Sequence, residues 1–222
     1  MAAQDTAPRA PLSRDKVLRA ALELADQEGF ESLSMRKLAQ ALGVEAMSLY
    51  NHVANKNEIL DGMLDIVFSE IELPLENDWK LALRQRCISF RKALIQHPWA
   101  LVLVESQHNP GPATLQHSDA VLGRLRSAGF SIASAAHACS LLDSYVYGFA
   151  LQERRLPFNS SKEPDMPSVD LFEQMSTLAH AYPHLAEMAM GYALTSAYTY
   201  SSEFEFGLDL ILDGLDRIRE KT

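Results

Sequence analysis

Residues 33–56 of this 222-residue chain read LSMRKLAQALGVEAMSLYNHVANK, and this stretch decides the fold. Ser34 can cap a short helix, because its hydroxyl accepts a hydrogen bond from a free N–H group of the first turn. Gly43 predicts the end of that helix, since glycine adopts the left-handed conformation of a sharp turn. A further short helical segment is predicted over residues 45–52. The buried face of the first helix holds three apolar side chains: Leu38, Ala39 and Leu42.

Two longer helices flank this pair. The first is predicted to begin after Ser13, a suitable N-cap, and to stop at Gly29. The second opens with an N-cap and N3 pair formed by Asn55 and Glu58, and it ends before Pro74. Together with the central pair, these helices predict a small helical head that carries a helix-turn-helix.

A helix-turn-helix sets its second helix at a steep angle, so that this helix can project into the major groove of DNA. The corner alone is weak evidence, because many helical proteins contain one. A helical enzyme or ligand carrier with an incidental corner therefore stays open as an alternative at this point. A palindromic DNA fragment would separate the two, since only a DNA-binding protein should bind it with steep salt dependence.

The remainder of the chain shows helical periodicity throughout, which predicts an all-α protein. We expect a flexible arm over residues 1–12, the head over residues 13–58, and a larger domain over residues 59–222, linked through a helix over residues 55–73. One proline-interrupted stretch, residues 157–168, predicts a loop. The expected helical blocks of the larger domain are 78–96, 98–107, 113–128, 131–155, 169–181, 183–197 and 202–220.

Residues 33–56 also resemble very closely the DNA-binding head of the tetracycline-repressor (TetR) family. The pairs Gly43-Val44, Leu49-Tyr50, His52-Val53 and Asn55-Lys56 fall at the family's spacing, and the strong resemblance covers residues 13–65. It implies a three-helix head and a larger ligand-binding and dimerisation domain, with about nine to ten helices in all. The implied function is a repressor that binds a palindromic operator as a homodimer and is released by a small-molecule effector. Activation instead of repression stays open.

The resemblance implies DNA-contact roles for seven residues. Arg36 can hydrogen-bond a guanine edge through its planar fork. The exposed start of the recognition helix can contact thymine methyls, bases or phosphates, and the residues after it can hold the sugar–phosphate backbone. Leu49 and Val53 are expected in the core instead. The predicted contacts besides Arg36 are Ala46, Met47, Ser48, Tyr50, His52 and Lys56.

Two helices near the C-terminus carry a packing stripe. A capping box over residues 202–205 is predicted to start the last helix. The resemblance implies that this helix and the 131–155 helix build a four-helix dimer interface, and an intramolecular core is the alternative. A two-fold dimer places its recognition helices roughly 34–36 Å apart, on successive turns of DNA. The predicted interface residues are Leu142, Val146, Phe149, Phe204, Leu208, Ile211 and Leu215.

An effector pocket is predicted among the helices of the larger domain. Its expected lining is mainly apolar with a few polar groups, although each such residue is more often ordinary core than a ligand contact. Effector binding would favour an arrangement in which the two heads no longer fit the operator, transmitted by the helix that begins at Asn55. The predicted lining residues are Trp99, Leu103, Gln107, His137, Leu141, Tyr145 and Met175.

Composition limits the other classes of function. The net charge is −9, but residues 1–60 carry 7 Lys or Arg against 8 Asp or Glu, so most of the acidity lies after the head. No apolar run reaches the roughly 18 residues that span a bilayer, which favours a soluble, cytoplasmic protein without a membrane partner. Cys87 and Cys139 are expected to be reduced core thiols. We expect no catalytic residues and no cofactor. We also expect no metal site, because Pro183 interrupts the helical spacing of His180 and His184.

Overall fold

The computed structural model describes residues 11–73, 76–104, 109–154, 179, 181–188, 191 and 200–219. Within these ranges the chain forms ten α-helices and no strand, which confirms the all-α prediction. The helices are α1 Arg14–Glu28, α2 Met35–Leu42, α3 Ala46–Leu49, α4 Lys56–Ser69, α5 Trp79–Gln96, α6 Ala100–Leu103, α7 Pro112–Ser127, α8 Ile132–Glu153, α9 Pro183–Met188 and α10 Tyr200–Arg219. The stretch 157–168 lies outside the described residues.

The predicted starts of the head's helices and the stop of α1 at Gly29 are confirmed. The Ser13 hydroxyl accepts a hydrogen bond from the backbone N–H of Lys16 at 3.2 Å, and Gly29 follows the last residue of α1. The Asn55 side chain accepts one from the N–H of Glu58 at 2.9 Å, so α4 begins where the capping pair predicts. Each cap satisfies a donor that would otherwise lack a partner at the first turn.

Three predicted boundaries are wrong, and the first is the end of the linking helix predicted over residues 55–73, since α4 ends at Ser69. The helix predicted over residues 98–107 begins two residues later, and α6 covers only Ala100–Leu103, although residues 105–108 lie outside the described ranges. Ser202 does not cap the last helix, because α10 already includes Tyr200. The Tyr200 ring packs 4.6 Å from the ring of Phe149, measured between centroids. The helix therefore includes two residues ahead of the predicted capping box, and the first of them makes this aromatic contact.

The Cα packing divides the chain into two compact units. The first contains residues 1–75 and 89–123, and the second contains residues 76–88 and 124–222. In the first unit α1 packs on α2 and α4, and α2 packs on α3. The predicted boundary at residue 58 separates a DNA-binding part from a ligand-binding part. It stays a prediction, because the two packing units are defined by contacts between helices and not by function. Buried core side chains of the first unit include Val17, Leu38, Leu49, Ile59, Met63 and Phe90.

In the second unit α8 packs closely on α10. The Tyr145 hydroxyl donates a hydrogen bond to the Phe204 carbonyl at 2.9 Å, and the two rings stack with centroids 5.3 Å apart. A Cβ atom at Gly207 would lie 2.2 Å from that hydroxyl, so this approach requires glycine. Arg84 of α5 adds ion pairs with two carboxylates of α10, Glu205 at 2.7 Å and Asp209 at 2.8 Å.

Candidate DNA interface and effector site

The turn between α2 and α3 has the geometry of a Schellman motif. The Gly43 N–H donates to the Gln40 carbonyl at 3.1 Å, and the Val44 N–H donates to the Ala39 carbonyl at 3.0 Å. Gly43 has φ 65° and ψ 38°, the left-handed region in which a Cβ atom is strained. At the other end of α2, the Ser34 hydroxyl accepts from the N–H of Lys37 at 3.2 Å. Both ends of α2 are therefore fixed by local hydrogen bonds.

Burial separates the core residues of this corner from the predicted contact residues. Leu38, Ala39, Leu49 and Val53 are all buried, as expected for the face that holds α3 on the head. The seven predicted contacts all lie outside this core. Arg36, Met47 and Tyr50 are exposed, whereas Ala46, Ser48, His52 and Lys56 are half-buried.

The recognition helix is short. α3 covers four residues, and a hydrogen-bonded turn continues it, since the Val53 N–H donates to the Leu49 carbonyl at 3.1 Å. The predicted segment over residues 45–52 is thus helical only in its first half. Met47, with 74% of its side chain exposed, is the most open large apolar residue of the head. A side chain of this kind suits contact with thymine methyl groups.

Glu58 holds the junction between α3 and α4. Its carboxylate accepts a hydrogen bond from the Ala54 N–H at 2.7 Å and pairs with Arg14 of α1 at 3.2 Å. The Ala54 hydrogen bond, helped by the Arg14 charge, lowers the pKa of Glu58 below its ordinary value. The Glu58 carboxylate therefore connects the segment between α3 and α4, which includes His52, to α4 and to α1.

Comparison with known proteins identifies the family of this head. Residues 17–63 match the family model described as bacterial regulatory proteins, tetR family, and residues 73–219 match the tetracyclin repressor-like C-terminal domain. The chain belongs to the TetR family of transcriptional regulators. The resemblance of residues 33–56 is thus confirmed, and the two family models together cover most of the chain.

Individual relatives agree with this assignment. The chain is 33% identical to the HTH-type transcriptional repressor DrrR1 of Streptomyces coeruleorubidus, over 94% of this chain and 79% of the relative. It is 40% identical to an HTH-type transcriptional regulator of Saccharopolyspora erythraea, over 62% of this chain and 59% of the relative. The fold matches the TetR family protein ActR of Streptomyces coelicolor in complex with actinorhodin, with a TM-score of 0.75, 31% identity, and coverage of 95% and 99% of the two chains.

These comparisons decide between the classes of function. The chain is a DNA-binding transcriptional regulator of the TetR family, and its relatives are regulators instead of enzymes. The alternative of an enzyme with an incidental helical corner is therefore set aside. None of the helices in the described part of the chain combines the length and apolarity that crossing a bilayer requires.

Most of the predicted dimer-interface residues lie in the core of a single chain. Leu142, Val146, Phe204 and Leu208 have no exposed surface, and Leu215 is nearly buried. These residues pack α8 and α10 of one chain together, and their assignment to a contact with a second chain stays a prediction. Phe149 and Ile211 are half-buried. The apolar periodicity correctly predicted which side chains of α8 and α10 pack against another helix. It could not predict whether that helix belongs to the same chain or to a second one.

The predicted pocket residues are spread over both units. Trp99 and Leu103 are buried in the first unit, and the Trp99 indole N–H donates to the Asp26 carboxylate at 2.6 Å. In the second unit His137 and Leu141 are exposed, and Tyr145 is half-buried against α10. The seven-residue lining stays a prediction, with Gln107 and Met175 outside the described residues.

A buried ionic cluster in the second unit was missed by sequence reasoning. The Arg86 guanidinium of α5 is buried and lies 2.7 Å from the Asp143 carboxylate of α8. Cys139 and Tyr147 stand four residues before and after Asp143 on the same helix. Desolvation raises the pKa of the Tyr147 hydroxyl and that of the neighbouring Cys87 thiol, the latter to about 11. Both cysteines are free thiols, as expected.

A signal for this cluster was present in the sequence. Arg86 stands four residues after the buried Ala82 and four residues before the buried Phe90, so helical spacing places a guanidinium on the apolar face of α5. A charge in that position requires a partner. The partner could not be read from the sequence, because Asp143 lies 57 positions further along the chain.

Proposed function

We propose that the chain binds a palindromic operator as a homodimer and represses transcription in the cytoplasm until a small-molecule effector binds. One observation carries the proposal: the tetR-family head folds with its core residues buried and all seven predicted DNA contacts outside the core. The relative DrrR1 is named as a transcriptional repressor, and this name favours repression over activation for the present chain. A two-fold dimer would bring two such heads to a two-fold symmetric site.

The proposed contacts fall into two groups. Arg36 would read a guanine in the major groove, and the start of α3 would touch neighbouring bases through Ala46, Met47 and Ser48. The second group, Tyr50, His52 and Lys56, would hold the phosphate backbone, which fixes position and carries no sequence information. Because the chain is acidic as a whole, we expect attraction to DNA to come from these local groups and not from the net charge.

The test is operator binding with variants of each group. A palindromic fragment is first selected from a randomised DNA pool with the intact protein. Arg36→Ala should weaken binding to this fragment by about 5- to 150-fold, because a bidentate arginine–guanine contact discriminates by about 1–3 kcal/mol. Its affinity for a scrambled fragment should change little. Fluorescence anisotropy at fixed salt measures both affinities.

Lys56→Ala is the matched control. Loss of a phosphate contact should weaken binding to the selected and the scrambled fragment alike, and it should reduce the slope of affinity against salt by about one unit. Equal losses of Arg36→Ala on both fragments would remove Arg36 from base readout. An intact protein that enriches no fragment from the pool would contradict DNA binding itself.

The proposed dimer surface is the outer face of α8 and α10. The side chains on this face are apolar and exposed in a single chain, although they stand beside the buried stripe that packs the two helices together. Apolar side chains clustered on helices in this way are typical of protein interfaces. The exposed apolar residues opposite the buried stripes are Leu151 on α8, and Phe206 and Leu210 on α10.

Leu210→Asp should shift the protein from dimer to monomer, because a dimer would bury this carboxylate without a partner. Sedimentation velocity measures the mass. The control is Leu115→Asp on α7, since Leu115 and Leu210 are equally exposed at 57%. The control variant should keep the mass of the intact protein. A monomeric intact protein, or equal dissociation of both variants, would contradict the assigned surface.

The proposed effector contact is the Arg86–Asp143 pair with Tyr147. A buried guanidinium beside a partly exposed carboxylate provides directional hydrogen bonds in an otherwise apolar helix layer, as effector sites do. The TetR family protein ActR has been solved in complex with actinorhodin. Actinorhodin and tetracycline, which the family description names, are accordingly the first probes.

A further inference from the structure

Glu45 is the only acidic side chain between Leu33 and Lys56, the stretch that forms the helix-turn-helix. The same stretch holds three side chains that carry a positive charge, namely Arg36, Lys37 and Lys56. A carboxylate beside them lowers affinity for DNA in general, because it repels the negative phosphate backbone. It raises affinity only where DNA offers a hydrogen-bond donor, since an ionised carboxylate only accepts.

The backbone at Glu45 is held in one conformation. Glu45 is the N-cap of α3, and its carbonyl accepts a hydrogen bond from the Ser48 N–H at 2.9 Å. The turn before it is closed by the N–H groups of Gly43 and Val44, which donate at 3.1 and 3.0 Å. These bonds fix the direction in which the Glu45 side chain leaves the backbone, immediately ahead of the recognition helix.

The Glu45 side chain is exposed and does not cap its own helix. Its neighbours Val44 and Ala46 are half-buried, so the turn between α2 and α3 presents this side chain to solvent. The carboxylate makes no capping hydrogen bond to the first turn of α3, as the side chains at the starts of α1, α2 and α4 do. Its oxygen atoms are therefore not used by α3.

Cytosine is the base that suits a carboxylate at this place. The N-terminal residues of a recognition helix contact base edges in the major groove. There the edge of cytosine shows the N4 amino donor and no acceptor, whereas adenine shows the acceptor N7 beside its amino group. Guanine and thymine show acceptors, which repel a carboxylate. Cytosine is thus the base whose own edge offers Glu45 a donor alone.

We propose that Glu45 is a specificity-determining residue, which accepts a hydrogen bond from a cytosine N4 amino group in each half-site of the operator. The inference rests on the proposed operator binding and deepens it, because Arg36 and Glu45 read different base pairs with opposite charges. The Arg36 fork reads the acceptors of guanine, and the Glu45 carboxylate reads the donor of cytosine. On random sequence the same carboxylate is repelled, so it raises selectivity and lowers non-specific affinity.

The experiment compares the sequences that the intact protein and Glu45→Gln each enrich from the same randomised DNA pool. Glutamine keeps the size of the side chain and adds a donor, which suits N6 and N7 of adenine. The intact protein should enrich cytosine at one position of each half-site, and Glu45→Gln should enrich adenine there while the other positions stay unchanged. That position should differ from the one that Arg36→Ala affects.

Fluorescence anisotropy measures the size of the change. Replacement of this cytosine by adenine should weaken binding of the intact protein by about 5- to 150-fold, the usual range for one mismatched base pair. The same replacement should not weaken binding of Glu45→Gln. Glu45→Ala is a second variant, and it should lose the preference for cytosine without gaining one for adenine. Circular dichroism confirms that each variant is folded before binding is measured.

Glu31→Gln is the matched control. Glu31 is also exposed, and its exchange changes the net charge by the same amount, but it lies between α1 and α2 and outside the recognition helix. The control should therefore enrich the same sequence as the intact protein. A shift of base preference that Glu31→Gln reproduces would overturn the inference, since net charge would then account for it.

The remaining outcomes separate the inference from the proposed function. An unchanged sequence from Glu45→Gln and Glu45→Ala would overturn the role of Glu45 and leave operator binding standing. A lower melting temperature of both variants with unchanged base preference would show that Glu45 only stabilises α3, and this too would overturn the inference. An intact protein that enriches no sequence would overturn operator binding and the role of Glu45 together.

Discussion

Leu49→Ala should abolish operator binding and lower the free energy of unfolding by about 2–5 kcal/mol, as removal of a fully buried leucine does. Leu49 has no exposed surface, and it is the buried residue of the four-residue α3. Its removal would leave a cavity where the recognition helix meets α2. Urea unfolding followed by circular dichroism measures the loss, and anisotropy with the selected palindrome measures binding.

Two variants control this experiment. Leu49→Met conserves volume and should cost less than about 1.5 kcal/mol. Met47→Ala removes an exposed side chain two positions away, so it should leave stability within about 0.5 kcal/mol while it alters affinity for DNA. If the free energy of unfolding of Leu49→Ala lay within about 0.5 kcal/mol of that of the intact protein, the recognition helix would not be held through this side chain.

Asp143→Leu should destabilise the second unit by about 2–3 kcal/mol, because it leaves the buried Arg86 guanidinium without its carboxylate partner. This loss of stability is smaller than the loss expected for a fully buried ion pair, because the Asp143 side chain is 41% exposed. The double variant Arg86→Met/Asp143→Leu should recover most of this loss, because an apolar pair of similar volume replaces the charges. Chemical unfolding of the two variants and the intact protein gives the comparison.

The same double variant tests the effector contact without the complication of lost stability. Actinorhodin should raise the melting temperature of the intact protein, because a ligand that binds only the folded state stabilises it. It should raise that of the double variant much less. Equal shifts in both proteins would contradict a role of the Arg86–Asp143 pair in binding actinorhodin, whereas a fully destabilised double variant would contradict the proposed exchange of charge for packing.

The sequence predicts local structure in the head well, because the deciding interactions lie within four residues of one another. Ser34, Gly43 and the Asn55 and Glu58 pair act on neighbouring backbone groups, and the structure confirms each of them. The half-length of α3 was not predicted. Helical spacing continues to His52, yet only the hydrogen bonds of the folded chain show that the regular helix ends at Leu49.

Long-range contacts account for what the sequence did not predict. The stripe containing Leu142 and Phe204 was identified as apolar, but periodicity alone does not distinguish the partner helix of the same chain from that of a second one. His97 and Arg86 each find carboxylates on helices distant along the chain, as Asp26 and Asp143 show. These pairings arise from packing, so they could not be derived from spacing.

The one-turn recognition helix has a consequence for how operators diverge among descendants of a duplicated gene. Leu49 and Val53 anchor the corner, whereas Ala46, Met47 and Ser48 stand outside that anchor. Met47 is the exposed one of the three, so its exchange alters the proposed DNA-contact surface and disturbs the packing of the head least. On the proposed contact set, a duplicated copy would acquire new target promoters through changes at this exposed position while the buried anchor of the corner is retained.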